Sequence, residues 1–347
     1  MNKAWEAIKS FDRWFARTAD SSGKSSSKGD EKRRHPFWVL VQKEVADHLH
    51  SWRFQILLLL LMLTCIGSLY TAMMSIRDAA SSEEAFQSHL FLKLFTVSDG
   101  TLPAFITFIG FLGPLLGIGL GFDAINSERN KGTLGRLLSQ PIHRDYVLHA
   151  KFVGALLVIG VMFFALGFLV MGLGLMMIGI PPTPEEFWRL VIFLLLSTCY
   201  VAFWLNLAIL FSVRFRQPAT SALASIAVWL FFSVFFTMIV NLIATATFPS
   251  QAVDAGSVLS HQQFVTYLLR LSPSHLFSEA TTTMLTPSIR SLGPLTMEQI
   301  YGAIPSPLPL GQSLLLIWPH TVGLIAGTAL CFGLSYVLFM RQEIRSR

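Results

Sequence analysis

Hydrophobic residues in this chain gather in long unbroken runs, with neither the strict alternation of a half-buried strand nor the one-sided stripe of a surface helix. Six runs reach the roughly 20 residues that a helix needs to cross the hydrocarbon layer of a bilayer: 54–76, 103–122, 152–180, 188–213, 218–244 and 314–340. The fourth and fifth are separated only by Arg214, Phe215, Arg216 and Gln217, which predicts a tight turn between antiparallel helices. Within two of the runs small residues recur at every fourth position: Gly113, Gly117 and Gly121, then Gly323 and Gly327. Such faces let helix backbones approach closely, within one bundle or across a dimer.

The polar stretches between the runs carry their own patterns. Over 36–53, Trp38, Val41, Val45, Leu49 and Trp52 fall on one helical arc while Lys43, Glu44, Asp47 and His50 point elsewhere. This predicts an amphipathic helix lying at the membrane boundary, its tryptophans in the headgroup layer. In the 123–151 loop, Thr133 stands as a helix N-cap after Gly132, Leu134, Leu137 and Leu138 share a face, and Pro141 discourages helix at the residue before it. The expected product is a short helix with an exposed leucine ridge. A ridge rimmed by charge either marks a partner site or dips into the membrane surface, and the partner site is the reading adopted here. Between 245 and 313 there are seven prolines and few charges. Helices are expected over 262–271 and 273–285, the second capped by Ser272 with Pro273 in its first turn. Together they are expected to form a helical cap, with Phe264 and Phe277 leaning on the membrane surface.

Composition strengthens this picture. Of 347 residues 53% are hydrophobic and 13% charged, about half the charged share of an ordinary soluble domain. The net charge of +6 does not signal nucleic acid, because the basic residues flank the apolar runs. Counting Lys and Arg near the span ends, with the N-terminus inside, places thirteen on the cytoplasmic side and three (Arg77, Lys93 and Arg189) outside. Both termini are therefore expected in the cytoplasm. Residues 20–34 are Ser, Gly and charge with no apolar residue, and read as a flexible linker.

Candidate chemistry is sparse. Cys65, Cys199 and Cys331 sit in apolar runs far apart, and His48 and His50 at i, i+2 point to different helix faces, so neither a disulfide framework nor a metal site is expected. Gly23-Lys24-Ser25 lacks the glycine that a phosphate loop needs at position 18, where Thr18 stands. The span interiors offer only His320, Asn206 and Asn241 as polar candidates, so a carboxylate for ion coupling is missing. No hydrolytic grouping is present, and no catalytic, cofactor or metal residue is assigned.

The order of parts then resembles a family. The loop reads Asp123-x-Ile125-x-x-Glu128-Arg129-x-x-Gly132-Thr133-Leu134-x-x-Leu137-Leu138-Ser139-x-Pro141-Ile142-x-Arg144, with Lys151 following, and Leu271-Ser272-Pro273 stands in the long later loop. With six spans and an amphipathic helix ahead of them, the chain resembles the permease subunits of ABC-2 type exporters. The likeness is strongest to the branch that includes the permease of the nitrous-oxide reductase maturation system. Gly135 departs from the bulkier, often acidic residue of many relatives. The resemblance implies an all-α polytopic fold: a cytoplasmic tail (1–34), an interfacial helix (35–53), spans 1–5 (54–244) with a coupling loop (123–151), an extracytoplasmic loop (245–313), and span 6 with the C-terminus (314–347). It implies that Glu128, Arg129, Gly132, Thr133, Leu134, Leu137, Leu138, Pro141 and Arg144 couple to a separate ATPase, present in two copies, which would hold the ATP and magnesium. It also implies a second permease, of the same or a similar chain, around the path. An ATP-independent secondary transporter or channel, and a membrane anchor for an enzyme-maturation complex, are the competing classes.

Overall fold

The computed structural model describes residues 35–80, 89–98, 100–139, 143–179, 181–247, 255–289, 292 and 307–342. The N-terminal tail and linker, Pro141 and the side chain of Leu138 lie outside the described residues. Among the described residues the fold is all-helical, and six helices are long and apolar enough to cross a membrane. In chain order the helices are α1 (Pro36–Leu49), α2 (Trp52–Ala80), α3 (Leu90–Thr96), α4 (Phe105–Gly121), α5 (Asn126–Asn130), α6 (Thr133–Leu138), α7 (Arg144–Ile178), α8 (Pro184–Arg214), α9 (Pro218–Thr247), α10 (Ala255–Leu269), α11 (Pro273–Leu285) and α12 (Leu310–Arg341). The spans are α2, α4, α7, α8, α9 and α12. The six crossings leave α1, the α5–α6 loop and the end of α12 on one side, here the terminal side. Helices α3, α10 and α11 belong to the opposite, distal side.

Span ends differ from expectation where polar residues continue a helix. The third span begins at Arg144, well before residue 152, because Asp145, His149 and Lys151 occupy two helical turns ahead of the apolar run. The fourth begins at Pro184, four residues before 188, and is started by a capping box: Thr183 Oγ1 accepts from Glu186 N, and the Glu186 carboxylate accepts from Thr183 N at 2.8 Å. The same buried carboxylate accepts from Phe91 N at 3.1 Å, anchoring the start of α3.

Helix α8 is the hub, packing against α4, α7, α9, α11 and α12. Two-thirds of its most apolar window (67%) is buried, against 17% for α9 and for α12. The glycine stripe of α4 explains the closest contact. A Cβ at Gly117 would sit 2.8 Å from Val201 O, and one at Gly121 would sit 2.7 Å from Leu205 O. Gly113 meets Val201, while Gly323 and Gly327 of α12 face Leu276 of α11 and Phe203 of α8. Of the two uses open to these small-residue faces, packing within the chain is the one the structure displays.

Helix α9 contains a π-helical turn over Phe231–Phe235, none of whose residues is buried. Below that turn Ser221, Ser225 and Trp229 are buried, with Trp229 edge-on to Phe111 of α4. Phe277 of α11, expected against the membrane surface, is instead covered by other helices. Helix α11 packs against α12, α8 and α4, and Phe277 is buried, stacked on Tyr200 of α8 with ring centroids 4.3 Å apart. Ser272 occupies its N-cap position but makes no side-chain cap. Helix α10 starts at Ala255 and ends at Leu269, earlier at both ends than the expected 262–271.

Candidate functional site

The terminal-side loop is built onto the ends of the spans. Where α4 ends, Ser212 Oγ of α8 accepts from two successive backbone amides, Ile125 N at 2.9 Å and Asn126 N at 3.2 Å. These are donors that a helix start leaves unpaired. Asn130 Nδ2 then donates to Arg216 O at 3.1 Å, tying α5 to the turn between α8 and α9. Gly132 adopts φ +70°, a left-handed conformation that a side chain rarely takes, and occupies the N-cap position of α6. Thr133, expected as the cap, is the first helical residue, and its Oγ1 donates back to Glu128 O at 3.1 Å.

The two ridge leucines with described side chains, Leu134 and Leu137, turn inward, contrary to expectation. Leu134 is 2% exposed, inside the core, and Leu137 is half-buried against the small cluster of Leu40 and Val41 from α1 with Ala150 from α7. The sequence showed that the ridge needed a cover, and α1 and α7 supply it. What α6 exposes is the opposite face, with Lys131, Gly132, Thr133, Gly135, Arg136 and Ser139.

Behind this face lies a charge network that ties three elements together. Lys151, from the second turn of α7, has a side chain only 5% exposed. It donates to both oxygens of Glu44 at 3.1 Å and to Glu128 Oε1 at 2.8 Å. Lys43 adds bridges to Glu44 and Asp47 at 3.1 Å and approaches Glu128 at 3.6 Å. Burial works against the charge on Glu44, but Lys151 and Lys43 more than offset it and hold its pKa below the usual carboxylate value. Alongside, Asp123 pairs with Arg53. Arg144 reaches away from the loop: its Nη2 donates to Gln342 O at 2.6 Å, and its guanidinium lies over Phe339, at the end of α12. Arg129 is half-buried.

The interfacial helix is divided in its use. Val41 is buried and Val45 partly so against α7, where a Cβ on Gly154 would come within 2.9 Å of Glu44 Cβ. Trp38, Leu49 and Trp52 remain exposed, Trp52 at 78%. Glu44, expected on the solvated side, is buried because Lys151 faces it.

The distal side holds groups that sequence reasoning missed. Arg189, counted there as an outer flank charge, is fully buried. It donates to Glu185, to Met284 O at the end of α11, to Leu308 O and to Ser313 Oγ. A carboxylate also meets the intramembrane histidine. Glu279 of α11 accepts from His320 Nε2 of α12 at 2.6 Å and from Arg270 Nε at 3.0 Å, with His275 Nε2 at 3.7 Å. Burial disfavours its charge, yet the nearby His275 ring and the hydrogen bonds from His320 and Arg270 outweigh that and hold its pKa far below the ordinary value. These 41- and 9-residue separations leave no periodic trace in the sequence. Two cavities flank this cluster. One of about 370 Å³ lies between α4, α9 and α11, with Thr107, Ser233, Thr237, Ser274 and His275 in its wall. The other, of about 450 Å³, lies between α11 and α12.

The sequence pattern of the ABC-2 family transporter proteins matches residues 38–344. The chain belongs to the ABC-2 transporter family. It is 26% identical over 312 residues to the probable ABC transporter permease protein NosY of Stutzerimonas stutzeri, covering 88% of this chain and 98% of that one. It is 28% identical over 323 residues to the probable NosY permease of Pseudomonas aeruginosa, with the same coverage. The ABC-2 protein described here is thus a multi-pass membrane permease subunit of an ABC transporter, not an enzyme, and such a permease works with an ABC ATPase.

Proposed function

We propose that this permease forms the membrane half of an exporter, in which the α5–α6 loop is the coupling element that receives an ATPase. The terminal side faces the cytoplasm in this reading, supported by the thirteen-to-three asymmetry of Lys and Arg. ATP and magnesium belong to the ATPase, in two copies, and a second permease completes the path, with the poorly buried spans α9 and α12 available to face it or lipid. The observation that carries the reading is the Lys151 network. Through Glu128 it fastens the loop to α7, and through Glu44 to α1, so a push on the loop moves a span and an interfacial helix as one piece. Closure of two ATPases would thereby tilt both permeases between inward- and outward-open arrangements.

Because Leu134 and Leu137 are internal, the partner is met by the face with Gly135 and Arg136. A Cβ at Gly135 would meet nothing within 4 Å. Gly135→Trp and Arg136→Glu are therefore expected to fold as the parent does while reducing co-purification of the ATPase and its turnover in lipid at least tenfold. Parental pull-down and turnover in both variants would remove the loop from the coupling role.

A further inference from the structure

The 450 Å³ cavity between α11 and α12 has a composition that no part of the transport reading uses. Its wall is Leu276, Leu292, Leu316, Pro319 and Gly323, with Arg270 and His320 as its polar members. Its volume falls within the roughly 300–1,000 Å³ typical of small-ligand sites. Glu279 holds both polar residues from behind and is not part of the wall, so the cavity is presented with the cationic and imidazole side of the cluster.

The bonding of the two polar residues defines what is missing. His320 is 3% exposed, and its Nδ1 has no hydrogen-bond partner among the described residues. A carboxylate only accepts, so Nε2 donates to Glu279 at 2.6 Å, and Nδ1 is the polar atom of the ring that no described residue satisfies. Arg270 spends Nε and Nη2 on Glu279 and Leu292 O, while Nη1 bonds to none of the described residues. The ligand must therefore bring an anionic oxygen for the guanidinium, a hydroxyl to pair with the imidazole, and an apolar body for the leucine walls. Outside the cavity, on the same helix, Leu315 and Trp318 are exposed, as expected for a surface in contact with lipid at an interfacial level.

We propose that this cavity binds an anionic glycerophospholipid, its phosphate on Arg270, a headgroup hydroxyl paired with His320 Nδ1, and part of one acyl chain between Leu276, Leu292 and Leu316. Phosphatidylglycerol has all three features. Phosphatidylcholine has a chain and a phosphate, but its headgroup has no donor and carries a compensating positive charge. The site depends on the chain's being in a membrane and not on which leaflet the distal side occupies, so it stands apart from the exporter reading.

The test is native mass spectrometry of the full-length permease released from nanodiscs containing phosphatidylglycerol and phosphatidylcholine in equal amounts. The parent is expected to retain phosphatidylglycerol at least tenfold over phosphatidylcholine. Arg270→Gln and the cavity-filling Leu292→Trp should each abolish that preference while melting within a few degrees of the parent. Because Arg270→Gln also loosens Glu279, Arg270→Lys serves as a second variant and should keep a partial preference. Equal retention of the two lipids by the parent, or undiminished preference in Leu292→Trp, overturns the proposal. Soluble glycerol phosphate, added as a headgroup without chains, should not displace the lipid at millimolar concentration. Displacement would assign the site to a free phosphate ester and overturn the lipid.

Discussion

The two ends of the bundle solve the problem of buried charge in opposite ways. On the terminal side one ammonium, Lys151, stands between two carboxylates, Glu44 and Glu128. On the distal side one carboxylate, Glu279, stands among a guanidinium and two imidazoles. The first is centred on the buried Lys151 and ties α1 and α7 to the loop as a rivet. The second spreads one carboxylate over Arg270, His275 and His320, so no single donor holds it alone.

Removing the rivet should have the largest effect. Lys151→Met leaves Glu44 and Glu128 with only the exposed Lys43 as a cation, and breaking a buried pair in this way costs about 3–5 kcal/mol. The expected outcome is a large fall in melting temperature or in yield of folded permease. Glu44→Gln combined with Lys151→Met should recover more than half of the loss, because the orphaned charge is then neutralised. A double variant no better than the single one would mean that Lys151 acts through packing alone.

The distal joint should respond to acid instead. With its pKa held below the ordinary value, Glu279 adds stability at and above that value and loses it as pH falls. The gap in melting temperature between the parent and Glu279→Gln should therefore persist down to the ordinary carboxylate value and narrow as the pH falls from about 5 to about 3, in a thermal-shift series. A gap constant across that range would show that the carboxylate contributes shape and not charge.

The smallest effect on stability belongs to the exposed face of α6. Arg136→Glu, with no ion pair to lose among the described residues, should shift unfolding by no more than about 0.5 kcal/mol. A larger loss would mean that α6 is held by its polar face as well as by Leu134.

The sequence revealed most about structure where a single physical requirement dominates. Crossing hydrocarbon demands about twenty apolar residues, and the six runs could hardly be anything else. Glycine at every fourth position likewise announced a close helix contact, though only the structure names α8 as the neighbour of α4. The loop motif was visible as a ridge, but its direction was not, because a ridge reads the same whether a partner or another helix of the same chain covers it. Position 44 shows the same limit. Glutamate in an amphipathic helix predicts solvent unless one knows that Lys151, 107 residues away, is waiting. The burial of Arg189 and the charge cluster at the half-buried Glu279 were invisible for a related reason: their partners are backbone carbonyls and side chains delivered by the packing of α11.

The π-helical turn in α9 gives the permease a built-in offset. Such a turn holds one residue more than an α-helical path requires, and each residue of an α-helix advances the azimuth by about 100° and the axis by about 1.5 Å. The near half of α9 is keyed by Ser221, Ser225 and Trp229, and the far half aims Ser233 and Thr237 into the 370 Å³ cavity. Those hydroxyls owe their bearing to the number of residues that precede them as much as to their identity. Excising one residue from the turn would leave every side chain of the far half in place along the sequence and swing all of them by about a quarter-revolution, like the two scales of a vernier slipping by one mark.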